Sequence, residues 1–231
     1  MITRMGGNKI MQQVKIDTQK SLINEMQKIE KRYLIAKRIF DIIISICGMI
    51  LLSPIFIIIG LLIKFDSKGS VFFAHNRIGQ DGKLIKVYKF RTMKVDAEKL
   101  IEQLNPSQKE EFEKNFKIEN DPRVTKLGQF LRKASLDELP QLLNILIGNM
   151  STVGPRPVVR DELVKYGENV DKFLSIKPGL TGKWQVNGRS DTTYEERVKL
   201  DMEYIDDLSF WNDIKIVIKT FICVIKKKGA M

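Results

Sequence analysis

The sequence predicts an α-rich α/β domain held at a membrane by a broken apolar helix. Three features predict it. Ile42 to Ile63 is a run of 22 residues without a charge. Gly79-Gln80-Asp81-Gly82 sits between two strand-like stretches, and several amphipathic helical stretches follow. With 231 residues, 43% apolar and 29% charged, the chain can bury a full core.

The charge balance narrows the partners. An excess of 39 basic over 28 acidic side chains gives +11, which suits nucleic acid, an anionic membrane surface or phosphorylated substrates. The apolar run moves that choice toward membrane and phosphate, and away from nucleic acid. Cys47 and Cys223 are too few for a disulfide framework, and His75 is the only histidine. Histidine-based triads and zinc sites are therefore excluded, and chemistry falls to carboxylates, which prefer hard cations such as Mg²⁺.

The chain reads as a polar extension over 1–30, a membrane segment over 31–66 and a globular unit over 67–231. Leu22, Met26, Ile29 and Tyr33 recur at helical spacing, which fits a weakly amphipathic helix or a loose tail. Lys31-Arg32 and Lys37-Arg38 form a basic collar. As a helix, Ile42 to Ile63 would reach ~33 Å, enough for a ~30 Å hydrocarbon core. It starts too late for a signal peptide and no small-residue cleavage site follows. A buried soluble helix of that length and composition is the weaker alternative.

Ser53-Pro54 interrupts the run near its middle, where proline removes a hydrogen bond and bends a helix. Lys64, Lys68 and Arg77 follow it as the basic collar precedes it, so the positive-inside bias puts both ends in the cytoplasm. A kinked span and a helix that dips into one leaflet and returns fit these residues equally.

Downstream, Val71 to Arg77 and Lys83 to Phe90 read as a β-hairpin. Residues 94–104 and 107–117 read as short charged helices, and Asn120-Asp121-Pro122-Arg123 as a turn. Leu127, Phe130 and Leu131 mark one helical face; Leu142, Leu143 and Leu146 mark another, ended by Gly148-Asn149. Gly154-Pro155-Arg156-Pro157 is a stiff loop carrying a cation. Pro178 to Gly182 and Val186 to Arg189 read as a second loop region. Ile214, Val217, Ile218, Phe221, Ile222 and Ile225 form a helical stripe behind Trp211. Such a helix suits a membrane interface or a protein core, and Lys215, Lys219 and Lys226 to Lys228 favour the interface.

The chemistry centres on Ser135-Leu136-Asp137-Glu138-Leu139-Pro140, which follows Arg132 and Lys133. Ser135-x-x-Glu138 has the form of a capping box, but Pro140 would force the helix to restart or bend. Adjacent carboxylates on a helix point ~100° apart. One can face a metal while the other attacks phosphorus to form an acyl phosphate. Arg123, Arg156 and Arg189 recur in Gly- and Pro-rich turns, where a guanidinium can meet phosphate oxygens in pairs. There is no P-loop, no G-x-G-x-x-G and no Asp-x-Asp.

Several ordered motifs carry a resemblance: Lys37-Arg38-Ile39-Phe40-Asp41, the Ser53-Pro54 break, Asn76-Arg77-Ile78-Gly79 and Lys89-Phe90-Arg91-Thr92-Met93. Asp121-Pro122-Arg123-Val124-Thr125, Leu131-Arg132-Lys133 and Ser135 to Gln141 follow. Gly154-Pro155-Arg156-Pro157, Lys177 to Gly182 and Val186-Asn187-Gly188-Arg189 complete them. Over roughly residues 33 to 225 the chain resembles the bacterial sugar transferase family, the monotopic polyprenyl-phosphate phosphoglycosyl transferases, in its compact catalytic form.

The resemblance implies transfer of a sugar 1-phosphate from a UDP-sugar to undecaprenyl phosphate, with release of UMP. That reaction opens exopolysaccharide, capsule or other surface glycan assembly. It implies that Asp137 is the nucleophile, that Glu138 binds Mg²⁺, and that Arg132, Arg156 and Arg189 steady phosphates or the uridine diphosphate; Arg123 joins them as a phosphate-binding candidate by its turn alone. It also implies a re-entrant helix broken at Ser53 and Pro54, with the catalytic domain on the cytoplasmic face of a bacterial plasma membrane. Membrane lipids, and either a second copy of the chain or downstream glycosyltransferases, are the further expected partners. A membrane-bound phosphohydrolase and a basic membrane scaffold are the alternative readings of the same residues.

Overall fold

The computed structural model describes residues 31–95, 97, 104–109, 118, 121–188 and 192–225. The polar extension, most of the helices expected over 94–104 and 107–117, Arg189 and Lys226 to Lys228 lie outside them. The chain divides into two compact units, Met1–Phe40 and Asp41–Met231. Within the first, residues 31–40 are helical and the Lys37 ammonium lies 5.9 Å from the centre of the Tyr33 ring. The helix continues past Phe40 into the second, to which every other element and contact below belongs.

The uncharged run forms two helices, not one. Helix α1 (Lys31–Leu51) and helix α2 (Ser53–Asp66) meet at an angle of 62°. Pro54 sits in the first turn of α2, where its missing N–H costs nothing, and Ser53 Oγ donates to the Ile50 carbonyl at 2.8 Å. No single helix among the described residues is long and apolar enough to cross a membrane, whereas this bent pair meets that test by length and composition.

The residues of the pair are arranged inside out. Asp41 and Ser45 are buried, and Gly48 lies against Leu142. Ile43, Ile46, Ile50, Leu51, Ile57 and Phe65 are exposed. Ile59 and Ile63 of α2 are the exceptions, packing with Phe90 and Leu131.

The expected hairpin is present. Strand β1 (Phe72–Ile78) pairs antiparallel with β2 (Leu84–Phe90), in a register running from Phe72↔Phe90 to Ile78↔Leu84. Asp81 and Gly82 turn the chain with positive φ. Ile85 and Val87 face inward and pack with Leu142, Ile145 and Met150.

Helix α3 (Lys126–Lys133) starts where Thr125 Oγ1 accepts from the Gly128 amide at 2.9 Å. A 3₁₀ turn, Leu136–Glu138, then leads into helix α4 (Gln141–Ile147), which Gly148 ends in the left-handed region. The helix thus restarts at Pro140, as its ring requires.

Strand β3 (Ser151–Val153) pairs in parallel with β4 (Gly179–Thr181). Between them lie 3₁₀ turns over Arg160–Asn169 and helix α5 (Val170–Leu174). The loop expected over Pro178 to Gly182 is therefore a strand, and Lys183–Asn187 forms helix α6. Three- and five-residue elements carry no readable period, and their order comes from partners distant in sequence.

Helix α7 (Tyr194–Asp206) begins with a capping box between Thr193 and Glu196. The C-terminal stripe forms helix α8 (Phe210–Ile225). It turns Asp213 and Ile216 inward and leaves Trp211, Ile218, Phe221 and Ile222 exposed.

Asn144 joins hairpin to helix. Its Oδ1 accepts from the Tyr88 amide at 2.9 Å, and its Nδ2 donates to the Lys86 carbonyl at 2.6 Å. Asn144→Ala should cost about 3 kcal/mol, because the change empties a buried side-chain position and takes from two hairpin backbone groups their partner. A fall in unfolding midpoint in detergent checks this; a change below about 0.5 kcal/mol would show that the hairpin is held otherwise.

Candidate active site

Three segments distant in sequence converge on the Asp137-Glu138 pair. The first is β2: the face that buries Ile85 and Val87 presents Lys89 next. The Lys89 ammonium donates to Glu138 Oε1 at 2.6 Å and lies 3.8 Å from Asp137 Oδ2. The second is the loop after β3, from which Arg156 Nη2 donates to the same Oε1 at 3.0 Å. The third is the 3₁₀ turn itself.

That turn explains how both carboxylates reach one cation. Ser135 adopts φ 56°, a left-handed conformation that swings the chain sharply out of α3. Its side chain makes no capping bond, so the capping box allowed by Ser135-x-x-Glu138 does not form and Glu138 is left for the two cations. In 3₁₀ geometry successive side chains diverge by ~120°. Asp137 is therefore buried, at 7% exposed, while Glu138 is half-buried.

The two carboxyls titrate in opposite directions. Burial is the largest influence on Asp137 and raises its pKa; Lys89 works against it, and Glu138 adds to it. Burial also pushes Glu138 upward, yet Arg156 and Lys89 together overcome it and hold that carboxyl far below its ordinary range. Arg156 in turn is raised, chiefly by Glu138.

The expected arginines separate in role. Arg132 Nε donates to Thr92 Oγ1 at 3.0 Å, and Asp137 is the strongest attractive charge acting on it. Arg156 is in the clamp. Arg123 is buried and meets Asp121 through Nε at 2.9 Å and Nη2 at 2.7 Å, a fork that holds its own turn. Ser53 and Pro54 stand at the helix break.

Other participants went unseen in the sequence. Lys89 stood in the Lys89 to Met93 motif without a role, and its further signal was a charge continuing the apolar Ile85, Val87 alternation. Glu162 had none. It accepts from Arg77 at 3.0 Å, Tyr194 at 3.2 Å and Arg197 at 3.4 Å. Arg197 also donates to the Arg156 carbonyl at 3.4 Å and lies 4.6 Å from the centre of the Trp184 ring. This network backs the Arg156 loop from behind.

Glycines bring that loop close. A Cβ on Gly179 would strike the backbone of Gly154, and one on Gly182 would strike the Gly154 carbonyl. Only bare backbone fits where the two loops meet.

Among the described residues no group of three or more His, Cys, Asp or Glu gathers as a metal cage. Asp137 and Glu138 can offer carboxylate oxygens, and the contacts of Glu138 with Lys89 and Arg156 both fall on Oε1. One or two carboxylates, completed by substrate phosphate and water, is the ordinary way proteins hold Mg²⁺. The donor set fits such a shared ion and not a self-sufficient cage.

Because its pKa is lowered in the fold, Glu138 contributes stability that is full above its ordinary value of 4.5 and is lost as pH falls below it. Glu138→Gln should therefore lower the unfolding midpoint at neutral pH, with the gap to wild type narrowing steadily as pH falls below 4.5. A gap that stays constant with pH would mean the clamp does not stabilise the fold.

The model of the bacterial sugar transferase family matches residues 32–227. The undecaprenyl-phosphate galactose phosphotransferase of Salmonella typhimurium is 46% identical over 210 residues, 90% of this chain and 44% of that protein. The exopolysaccharide production protein ExoY of Sinorhizobium fredii is 46% identical over 199 residues, 85% of this chain and 88% of that protein. The UDP-glucose:undecaprenyl-phosphate glucose-1-phosphate transferase of Escherichia coli is 44% identical over 193 residues, 80% of this chain and 39% of that protein. The chain thus spans less than half the length of two of these three relatives. With a match that runs through the hairpin, the carboxylate turn and the Arg156 loop alike, the chain belongs to the bacterial sugar transferase family.

Proposed function

We propose that this protein is a phosphoglycosyl transferase that moves a sugar 1-phosphate from a UDP-sugar to undecaprenyl phosphate. The observation that carries this reading is a buried Asp137 beside a Glu138 locked by Lys89 and Arg156. Relatives named as undecaprenyl-phosphate sugar phosphotransferases support the substrate class. Exopolysaccharide initiation is the pathway position favoured by the ExoY relatives.

In the first step, an Asp137 oxygen attacks the phosphorus that carries the sugar. The bond from that phosphorus to the bridging oxygen breaks, and UMP leaves with the electron pair. An acyl phosphate joins Asp137 to the sugar phosphate. In the second step, a phosphate oxygen of undecaprenyl phosphate attacks the same phosphorus and Asp137 departs as carboxylate. The product is an undecaprenyl diphosphate sugar.

The residues divide this work. Asp137 must be ionised to attack, and Lys89 supports that charge against its burial. Lys89, Arg132 and Arg156 offer positive charge to the donor's diphosphate. Glu138, with the donor's phosphates, would hold Mg²⁺, which neutralises diphosphate charge when bound. The apolar outer faces of α1 and α2 support seating in the cytoplasmic leaflet of a bacterial plasma membrane, with the break at Ser53-Pro54 as the turning point of a re-entrant helix. The exposed Trp211 and Phe221 on α8 suit the lipid interface.

Asp137→Asn should abolish both product and the sugar-phosphate mass added to the protein by donor alone. Radiolabelled UDP-sugar with undecaprenyl phosphate, together with intact-protein mass spectrometry, checks both. Sustained turnover in the variant, or free sugar phosphate in place of lipid product from wild type, would defeat the proposal.

Lys89→Met should move the acid limb of adduct formation to higher pH. Burial already raises Asp137, and removing its largest opposing charge raises it further. An unchanged limb in pre-steady-state measurements would remove Lys89 from this role.

A further inference from the structure

The two cations on Glu138 stand on separate segments, and each segment is tied to a different limb of the broken helix. Asp41, on α1, is 3% exposed. Its Oδ1 accepts from Ser151 Oγ at 3.1 Å and from the Thr152 amide at 2.7 Å. Those residues form β3, and the chain leaves β3 through Gly154 and Pro155 to Arg156.

Arg91 stands at the end of α2. Its Nη1 donates to the Lys68 carbonyl at 2.8 Å. Its Nη2 donates to the Ser67 carbonyl at 2.7 Å and Ser67 Oγ at 3.1 Å, and reaches the Ile63 carbonyl at 3.5 Å. The guanidinium thus takes up the carbonyls that a helix C-terminus leaves open. Lys89 lies two residues earlier, in β2, and Arg91 follows the last residue of that strand, Phe90.

We propose that Asp41 and Arg91 are positioning residues, through which the two limbs of the broken helix set where Arg156 and Lys89 meet Glu138. Neither touches the carboxylates. Asp41 acts through β3 and the proline-stiffened loop, and Arg91 acts through the end of the hairpin strand that it follows. A change of angle between α1 and α2 draws on both latches and so reaches the clamp from two sides. The catalytic consequence rests on the proposed transfer reaction; the mechanical link does not.

The test uses the full chain in lipid nanodiscs, read by hydrogen–deuterium exchange and by steady-state kinetics. Asp41→Ala should speed exchange over 151–157, the Thr152 amide included, and leave 84–90 at the wild-type rate. Arg91→Ala should speed exchange over 63–68 and 87–90 and leave 151–157 unchanged. Each should lower kcat at least about tenfold, with the donor KM within about threefold, as expected of small displacements at a reacting centre. Asp41→Asn keeps an Oδ1 acceptor for both donors and should restore the exchange pattern and most of the turnover.

Exchange that rises uniformly over the domain, or stays at wild-type rates in 151–157 and 87–90, overturns the proposal. So does an Asp41→Asn that behaves as the alanine variant. A wild-type protein that transfers no sugar phosphate would instead defeat the reaction, while the exchange patterns still decide the latches.

Discussion

Two neighbouring carboxylates cannot share a closed site unless cations hold them there. Glu138 is held by Lys89 from 49 residues before it and by Arg156 from 18 residues after it. Both must arrive for the charge to be tolerated, so the hairpin, the carboxylate turn and the β3 loop are bound into one assembly. The same arrangement splits two chemically similar acids. One is pinned as a carboxylate, and the other, deeper and only flanked by cations, has its pKa raised by burial.

Around this core the usual order of apolar and polar residues is reversed. Asp41, Ser45 and Asp213 point into the protein, whereas Ile43, Ile50, Phe65, Trp211 and Phe221 point away from it. In water such an arrangement exposes more apolar surface than a monomer ordinarily tolerates. Against hydrocarbon it would be the economical one, because the polar contacts of Asp41 and Ser45 face the protein. The helix pair serves as a wall of the fold, and its apolar outer face is what the proposed membrane seating would use.

Local chemistry made much of this legible in advance. Asp81-Gly82 with its flanking alternation marked the hairpin, Gly148 marked the end of α4, Pro140 marked the restart, and Ser53-Pro54 marked the break. What stayed hidden depends on residues meeting across long separations. Nothing near Glu162 announces its distant donors Arg77, Tyr194 and Arg197, and nothing in Gly179-Leu180-Thr181 announces a strand until Ser151 to Val153 lies alongside. Ser135 misled in a specific way: its spacing to Glu138 fits a cap, yet its left-handed backbone forbids one. Arg123 resembled a phosphate ligand because of its turn, but Asp121 two residues away occupies its guanidinium.

The contact of Gly154 with Gly179 and Gly182 has a consequence for how this scaffold can diversify. The frame beneath Arg156 is main chain pressed on main chain at Gly154, Gly179 and Gly182, so no side chain can be introduced at those three positions. Novelty has to enter at the margins, through residues that border the frame without building it. Relatives named for galactose and for glucose can share such a frame unaltered, and divergence among them should be sought along that border.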